Sequence, residues 1–287
     1  MMEPLMKTVF LAGAALAIAG VVQAQAADIY QPVPEAPIIE APIVQPVAAA
    51  SGWYLRGDVG YSWNKLRGAD YFQGSNALYV PFATASLRNT YSVGGGVGYQ
   101  VTEKFRVDGT FDYFGGSKFR GSTIGGCGVA ANCVSTDIST LSAYSLLANA
   151  YIDIAKFGRV TTYVGGGLGG THVNWNGLDN TSCSATNPAA CDPTVRHTGA
   201  KSWRFTYALM AGASVDLTCN LKADVGYRYR NVAGGGKMFG YALNGGPGYD
   251  RGYASHEVRG GLRYSFGGCA QPVVYEPEPI YPQPVYK

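Results

Sequence analysis

The sequence predicts an all-β fold, an eight-stranded antiparallel up-and-down transmembrane β-barrel with long extracellular loops. Two observations lead to this fold class. Apolar and polar residues alternate with a period of two along eight segments, and every Asp, Glu, Lys and Arg of those segments falls on the polar side. A period of two places successive side chains on opposite faces of a strand. A membrane barrel turns its apolar face to lipid and keeps its charges in the lumen, with aromatic residues at both interfaces.

The last predicted strand, Tyr253–Phe266, shows the alternation most clearly. One of its sides ends in two aromatic residues, whereas the other carries Glu257, Arg259 and Arg263. The segment Val160–Gly170 is rich in glycine and alternates least clearly. The seven strands before the last are predicted at Trp53–Trp63, Thr90–Val101, Phe105–Phe114, Leu141–Ile154, Val160–Gly170, Trp203–Leu217 and Leu221–Arg230.

The predicted lumen holds a nearly balanced set of charges. A charged side chain at the bilayer midplane costs roughly 2–4 kcal/mol, so lipid would exclude all of them from the outer face. Because the two signs nearly balance, we expect salt bridges to close the lumen. The basic members are Arg56, Arg106, Arg204, Lys222, Arg228, Arg230, Arg259 and Arg263, and the acidic members are Asp58, Asp108, Asp112, Asp153, Asp216, Asp224 and Glu257.

The composition is typical of a barrel surface. The chain has 13% aromatic residues, 40 Gly and 21 Tyr, but only 14% charged residues. Soluble domains contain about 25% charged residues. The net charge of +3 is too small to indicate nucleic-acid binding.

The first 26 residues are expected to be a secretory signal peptide. Lys7 precedes an apolar run over 8–22, and small residues at Ala24 and Ala26 fit a cleavage site. A membrane anchor helix is the alternative, but the apolar run is short for spanning a bilayer. Export by a Gram-negative bacterium follows, and the predicted location is the cell outer membrane.

Two proline-rich tracts flank the barrel region. Residues 27–50 are predicted to form a periplasmic tether and residues 269–287 a Pro/Tyr-rich periplasmic tail, because proline favours extended, unpaired chain. The barrel is placed at 51–268. Its connections alternate between short links near 102–104, 155–159 and 218–220 and long loops at 64–89, 115–140, 171–202 and 231–252. We expect the tails to contact peptidoglycan or a periplasmic partner.

The six cysteines are disulfide candidates, because an exported protein enters oxidising surroundings. Cys127 and Cys133 share the second long loop, and Cys183 and Cys191 share the third. Antiparallel pairing would also bring Cys219, before strand seven, close to Cys269, after strand eight. No His flanks these cysteines at zinc-site spacing, so no metal site is predicted.

Four segments carry a family resemblance. These are SGWYLRGDVGYSW at 51–63, TYSVGGGVGYQ at 90–100, TTYVGGGLGG at 161–170 and HEVRGGLRYSF at 256–266. Together with the Ala-Asp after the signal and the Pro-Val tether, they resemble the small alphaproteobacterial outer-membrane surface antigens of the 25–31 kDa type. The resemblance implies roles in envelope integrity and host contact, and porin-like or haemin-binding activity in some members. The tail after Phe266 departs from the usual terminal aromatic residue.

Three functions remain open from the sequence. The first is a structural barrel that displays its loops, with its lumen closed by salt bridges. The second is a small porin-like channel, if the glycines of 94–98 and 165–170 leave space in the lumen. Alternatively, these glycines let a small barrel bend sharply or receive aromatic side chains from neighbouring strands. The third is binding of a host factor, a surface ligand or haemin, with His172 and His197 as candidate haem ligands. Candidate loop contacts are Tyr71, Phe72, Tyr79, Phe82, Trp175, Phe239, Tyr241 and Tyr249.

Enzymatic activity is not predicted. Ser255 and His256 are neighbours in a strand, so their side chains point to opposite faces and do not form a nucleophile–base pair. No cofactor is predicted, and the expected partners are outer-membrane lipid and whatever the tails and loops contact.

Overall fold

The computed structural model describes residues 52–74, 77–243 and 245–267. Each of eight long strands pairs antiparallel with the next along the chain, and the last pairs with the first, so the sheet closes into a barrel. The predicted fold class is confirmed. The strands are β1 (Gly52–Leu66), β2 (Thr90–Gln100), β3 (Phe105–Ser122), β4 (Cys133–Phe157), β5 (Val160–Trp175), β6 (Ala200–Asp216), β7 (Leu221–Val232) and β8 (Tyr253–Ser265).

The outer surface of the barrel is apolar between two aromatic belts. Val59 is 63% exposed on this surface, whereas its neighbour Asp58 points inward and is buried. This alternation follows from the pleat of a strand, and lipid requires the apolar side to face out. The belt at the short-turn end contains Trp53, Tyr99, Tyr264 and Phe266, and the belt at the loop end contains Tyr61, Trp63, Tyr91, Tyr113, Tyr144 and Trp203. Across the described ranges, no helix is long and apolar enough to cross a membrane.

Short turns connect the strands at one end of the barrel, and two of them share one design. The Thr102 hydroxyl accepts hydrogen bonds from the backbone N–H groups of Lys104 and Phe105, at 3.3 and 3.0 Å. Thr218 does the same for Asn220 and Leu221. A threonine side chain that satisfies the turn's donors stabilises a tight reversal.

Several strands run further toward the loop end than predicted. On β3, Phe119 is buried while its neighbours Lys118 and Arg120 are exposed. The alternation therefore continues beyond the belt, but charged residues now face outward, as they do in a water-soluble sheet. The lipid-type alternation, with charges facing inward, ends at Phe114, which is why the sequence pattern predicts a loop from 115 onward. The predicted loop-side strand ends that move are Trp63 to Leu66, Phe114 to Ser122, Leu141 to Cys133, Gly170 to Trp175, Trp203 to Ala200 and Arg230 to Val232.

A second, four-stranded sheet lies within the first and fourth long loops. Its order is Lys237–Phe239, Gly245–Asp250, Ala69–Gln73 and Leu78–Pro81. The loops predicted at 64–89 and 231–252 are therefore structured over much of their length. Other short strands extend the barrel sheet at Thr84–Leu87, Ile124–Gly125, Leu178–Ser184 and Val195–His197.

Disulfides close the second and third loops. Cys127 is bonded to Cys133 and Cys183 to Cys191. Cys219 is also disulfide-bonded. Cys269, the signal peptide at 1–26, the tether at 27–50 and the tail at 269–287 lie outside the described residues.

Replacing Val59 with Arg tests the contact with lipid. We expect the free energy of unfolding from vesicles to fall by about 2–4 kcal/mol, because the new charge would lie near the middle of the apolar band. Leu78→Arg is the matched control, since Leu78 is exposed in the loop sheet, and it should change stability by about 0.5 kcal/mol or less. Equal losses in the two variants would contradict a lipid-facing β1.

Candidate functional site: the lumen and the loop cap

A chain of alternating charges runs through the barrel interior. Arg56 donates to Asp58 at 2.8 Å and to Asp108 at 3.0 Å. The Arg259 guanidinium lies 2.7 Å from Asp58 and 3.7 Å from Asp112. We call Asp108, Arg56, Asp58, Arg259, Asp112, Arg228 and Glu257 the lumen chain. Its members come from β1, β3, β7 and β8. The lumen chain therefore connects strands on both sides of the β1–β8 pair that closes the barrel.

Arg228 is the most buried member of the lumen chain, with 0% of its surface exposed. Its Nη1 donates to Asp112 at 2.7 Å, its Nε donates to Glu257 at 2.8 Å and its Nη2 lies 2.7 Å from the same carboxylate. The Ser92 hydroxyl donates to the other Glu257 oxygen. Two carboxylates therefore compensate one buried guanidinium, which offsets the cost of removing all three charges from water.

The remaining predicted charges near the short-turn end form local pairs. Arg106 contacts Asp153, and its guanidinium lies 4.6 Å and 4.5 Å from the ring centroids of Tyr151 and Tyr163. Such cation–π contacts stabilise a buried guanidinium. Two further pairs are Arg263–Asp224 at 3.4 Å and Lys222–Asp216 at 2.7 Å, the latter half-exposed at the rim.

Two predicted members have surroundings that differ from the lumen chain. Arg230 has no carboxylate partner in the part of the chain that the structure describes; it donates to the hydroxyls of Ser145 and Ser255 and stacks on Phe114, 3.4 Å from the ring centroid. Arg204 pairs with Asp250. Asp250 is absent from the predicted set of lumen charges because it lies in the predicted loop 231–252, outside the strand pattern.

Two glycines of the lumen wall lie against aromatic rings. A Cβ atom on Gly98 would come within 2.2 Å of the Tyr54 ring, and one on Gly165 within 2.5 Å of the Tyr151 ring. Tyr54 and Tyr151 are both buried. At these two positions the glycines receive aromatic side chains and leave no open space beside them.

An apolar cluster fills the loop end of the barrel. Phe119 packs edge-on against Trp175 and Phe82, with ring centroids 5.6 and 5.8 Å apart, and Phe82 packs against Phe239 at 6.2 Å. Together with the four-stranded sheet, this cluster forms what we call the loop cap. Its members are Leu66, Ala69, Tyr71, Phe82, Leu87, Phe114, Phe119, Leu141, Ala143, Val173, Trp175, Leu178, Val232, Met238, Phe239 and Tyr253.

The loop cap corrects part of the predicted set of loop contacts. Tyr71, Phe82, Trp175 and Phe239 are buried, because they supply the core that the extended strands and the second sheet require. Tyr79 and Tyr241 are exposed. Phe72 and Tyr249 are half-buried.

Asp250 links the loop cap to the lumen. Its carboxylate accepts a hydrogen bond from the Trp175 indole N–H at 2.8 Å and from the Gly252 backbone N–H at 2.9 Å, and it pairs with Arg204. A buried Trp needs an acceptor for its N–H. Asp250 provides this acceptor and also neutralises the inward-facing Arg204.

The two candidate haem ligands point in different directions. His172 stacks on Tyr144 with ring centroids 4.7 Å apart and lies beside Trp203 in the outer aromatic belt. His197 is buried in the loop cap, where its Nδ1 lies 2.9 Å from the Gly240 carbonyl oxygen. No group of three or more potential metal ligands occurs among the described residues.

A cavity of about 730 Å³ lies in the loop cap. Asp137 and His197 form part of its buried wall, and the exposed residues Val129 and Leu243 lie at its edge. Burial raises the pKa of the Asp137 carboxyl, although hydrogen bonds from Ser135 and Asn180 and the nearby His197 oppose this shift.

A closed barrel with an apolar outer face, two aromatic belts and charges confined to its interior is an integral outer-membrane protein. The family model for the outer membrane protein beta-barrel domain matches residues 12–266, and the chain belongs to this family. Its location is the Gram-negative outer membrane.

Relatives of the chain occur in alphaproteobacteria. An uncharacterised protein of Brucella abortus is 34% identical over 262 residues, which cover 80% of this chain and 90% of the relative. A Rickettsia felis protein named "Putative adhesin" is 24% identical over 242 residues, covering 80% of this chain and 94% of that protein.

Two solved structures are similar at low sequence identity. The outer membrane protein OprG of Pseudomonas aeruginosa is 12% identical with a TM-score of 0.46, and the match covers 76% of this chain and 97% of OprG. Ail, the attachment invasion locus protein of Yersinia pestis, is 13% identical with a TM-score of 0.31, covering 75% of this chain and 100% of Ail.

Replacing Arg228 with Met tests the energetic role of the lumen chain. Two buried carboxylates would lose their main cation, so we expect the free energy of unfolding in urea to fall by about 3–5 kcal/mol. Arg196→Met is the matched control, because Arg196 pairs with Asp179 at 2.8 Å on the surface, and it should cost about 1 kcal/mol or less. A small, equal loss in both variants would contradict this role.

The raised pKa of Asp137 predicts that the stability of the folded protein depends on pH through this residue of the loop cap. The folded state holds the proton more tightly than the unfolded chain, so this residue stabilises the fold at acidic pH. That contribution is lost as the pH rises through the folded-state pKa. The difference in thermal stability between wild type and Asp137→Asn should therefore change with pH. Asp179→Asn, at an exposed pair, serves as control; a pH-independent difference for Asp137→Asn would contradict the prediction.

Proposed function

We propose that this protein is a structural and surface-exposed barrel of the outer membrane, with a closed lumen and a rigid extracellular cap, that supports envelope integrity and displays its loops. The observation that carries this proposal is closure at two levels. The lumen chain occupies the interior of the barrel, and an independent apolar cluster fills its loop end.

The interior of the barrel supports closure by its size and contents. Eight strands enclose a space that side chains can fill. Large inward side chains such as Arg106, Arg228, Arg230, Tyr54 and Tyr151 are nearly completely buried. Opening a water-filled path would require breaking charge pairs that hold opposite walls together, which is costly in a buried site.

The loop cap supports a display role because it is built as a core and not as a set of free loops. Its buried members include residues of the first, third and fourth loops, and disulfides close the second and third. A cap of this kind holds exposed groups such as Tyr79, Tyr241 and Leu243 in fixed positions on the outside of the cell.

A second candidate function is contact with a host or surface ligand through this cap. The exposed apolar residues Leu78, Tyr79, Tyr241 and Leu243 favour it, because large apolar side chains on an outer surface are typical of contact sites. The name of the Rickettsia felis relative agrees with this candidate. A porin-like channel and haemin binding are weaker alternatives, since Gly98 and Gly165 receive aromatic rings and the two histidines do not converge.

The proposed role is not enzymatic. Ser255 is buried toward the lumen, whereas His256 is exposed on the outer face, where it hydrogen-bonds with Tyr227. The adjacent serine and histidine therefore do not form a catalytic pair.

Planar-bilayer conductance of the folded protein, residues 27–287, tests the closed lumen. We expect silence over long recordings, because the lumen chain and the loop cap each obstruct the path. A variant that lacks residues 237–249 of the loop cap should remain silent as well, since the lumen chain is left in place.

Stable stepwise openings of the wild-type protein would contradict the proposal. If the ion selectivity of those openings changed in Arg259→Ser, the path would run along the lumen chain. Insertion is verified in each recording by the heat-dependent gel mobility of the same sample, so silence is not confused with failed folding.

A further inference from the structure

The cavity of the loop cap has the size of a small-molecule site. Its volume of about 730 Å³ lies within the range of small-molecule sites, roughly 300–1,000 Å³. Asp137, His197, Tyr71, Phe82 and Phe239 line it, and all five side chains are buried. The cavity lies beyond the outer aromatic belt, since Asp137 precedes the belt residue Tyr144 on β4 at the loop end.

The charge of the cavity has one sign. Its described lining includes the carboxylates of Asp137 and Asp192 but no Lys or Arg. Asp192 also accepts a hydrogen bond from the Gly128 backbone N–H at 2.8 Å. An anionic ligand would meet two carboxylates without a compensating cation, whereas a cationic ligand would be attracted.

Asp137 differs from the other buried acids of the molecule. Of the buried Asp and Glu side chains in the ranges that the structure covers, it alone lacks a Lys, Arg or His nitrogen within 4.0 Å. It is 1% exposed, and it accepts one hydrogen bond from the Ser135 hydroxyl and one from the Asn180 amide at 2.6 Å. An ionised carboxylate has about four acceptor sites, so two stay available. A buried carboxylate without a cation is costly, and a bound cation would remove that cost.

His197 adds a second acceptor to the cavity. The Gly240 carbonyl can only accept, so Nδ1 carries a proton and donates at 2.9 Å; the neutral tautomer that matches this bond is the one protonated on Nδ1. The Nε2 atom of this tautomer therefore carries a free electron pair. A ligand that donates several hydrogen bonds matches this arrangement.

Aromatic rings complete the site. Tyr71 and Phe82 pack edge-on with centroids 5.2 Å apart, and Phe239 lies beside Phe82 and His197. Aromatic faces attract guanidinium and ammonium groups, more strongly where water is excluded. The carboxylate, the imidazole acceptor and the ring faces together match a cationic ligand that donates hydrogen bonds.

We propose that this cavity binds an organic cation, a guanidinium or primary ammonium group, with Asp137 as its ionic partner and the aromatic rings as its apolar wall. Two sources share this chemistry, an arginine or lysine side chain of an extracellular peptide and a free polyamine. The inference goes beyond the closed-barrel function and does not depend on it, because the site lies in the cap and uses no lumen residue.

Titration calorimetry of the folded barrel in non-ionic detergent tests the site. The probes are Nα-acetyl-arginine amide, spermidine and Nα-acetyl-citrulline amide, which has nearly the shape of the arginine probe without its charge. We expect the wild-type protein to bind at least one of the two cations and to bind the citrulline probe at least tenfold more weakly.

Asp137→Asn is the matched variant, because an asparagine can still accept from Asn180 and donate to Ser135. It should weaken cation binding at least tenfold, while Asp179→Asn, outside the cavity, should leave it unchanged. Preference for the arginine probe over spermidine would identify a peptide source, and the reverse preference a polyamine.

Three results would overturn the proposal. They are equal binding of the arginine and citrulline probes to the wild type, unchanged binding in a folded Asp137→Asn variant, and no binding of either cation at millimolar concentration. The comparison of probes on the wild type needs no variant, so a folding defect does not affect it. A conducting wild-type barrel would contradict the closed lumen but would leave these results unaffected.

Discussion

Hydrocarbon on the outer face of the barrel decides where the charged side chains of the strands can lie. Within the span between the two aromatic belts, every charge has to point inward, and only eight strands surround that interior. The charges are therefore crowded, and they are stable there only as compensated groups. Arg228 between Asp112 and Glu257 is the densest example, and Arg259 joins this group to Asp58 and Arg56 on β1. The lumen chain is thus a direct consequence of the lipid outside.

Beyond the loop-side belt, water replaces lipid around the sheet, and the residues that face inward change from mostly charged to mostly apolar. On β3, Lys118 and Arg120 face outward and Phe119 faces inward, because water now surrounds the same sheet. One continuous strand therefore belongs to two kinds of core, a polar one within the membrane and an apolar one above it. Asp250 joins them, since it binds both Trp175 of the apolar cluster and the inward-facing Arg204.

The sequence was sufficient for the barrel but not for the cap, and the reason is physical. A lipid-facing strand has a strict period of two, so the inward placement of residues such as Asp58, Arg228 and Glu257 follows from the chain alone. The loop cap depends on contacts between segments that are far apart in sequence, as between Phe82, Phe119 and Phe239. No local pattern shows that Tyr71 is buried while Tyr79 is exposed. The role of Asp137 could not be predicted from the sequence either, because it depends on the absence of a nearby cation in the folded structure.

Shared packing in the loop cap restricts how this surface can diverge. Phe82 comes from the first loop, Leu178 from the third and Phe239 from the fourth, and all three are buried in one cluster. A single loop taken from a relative would bring side chains shaped for another set of neighbours and would leave gaps or clashes. Substitutions are therefore tolerated best at exposed rim positions such as Val129 and Leu243, whereas the buried positions can change only as a coordinated set. Each loop of the cap thus combines exposed positions that accept new side chains with buried positions that are held by the other loops.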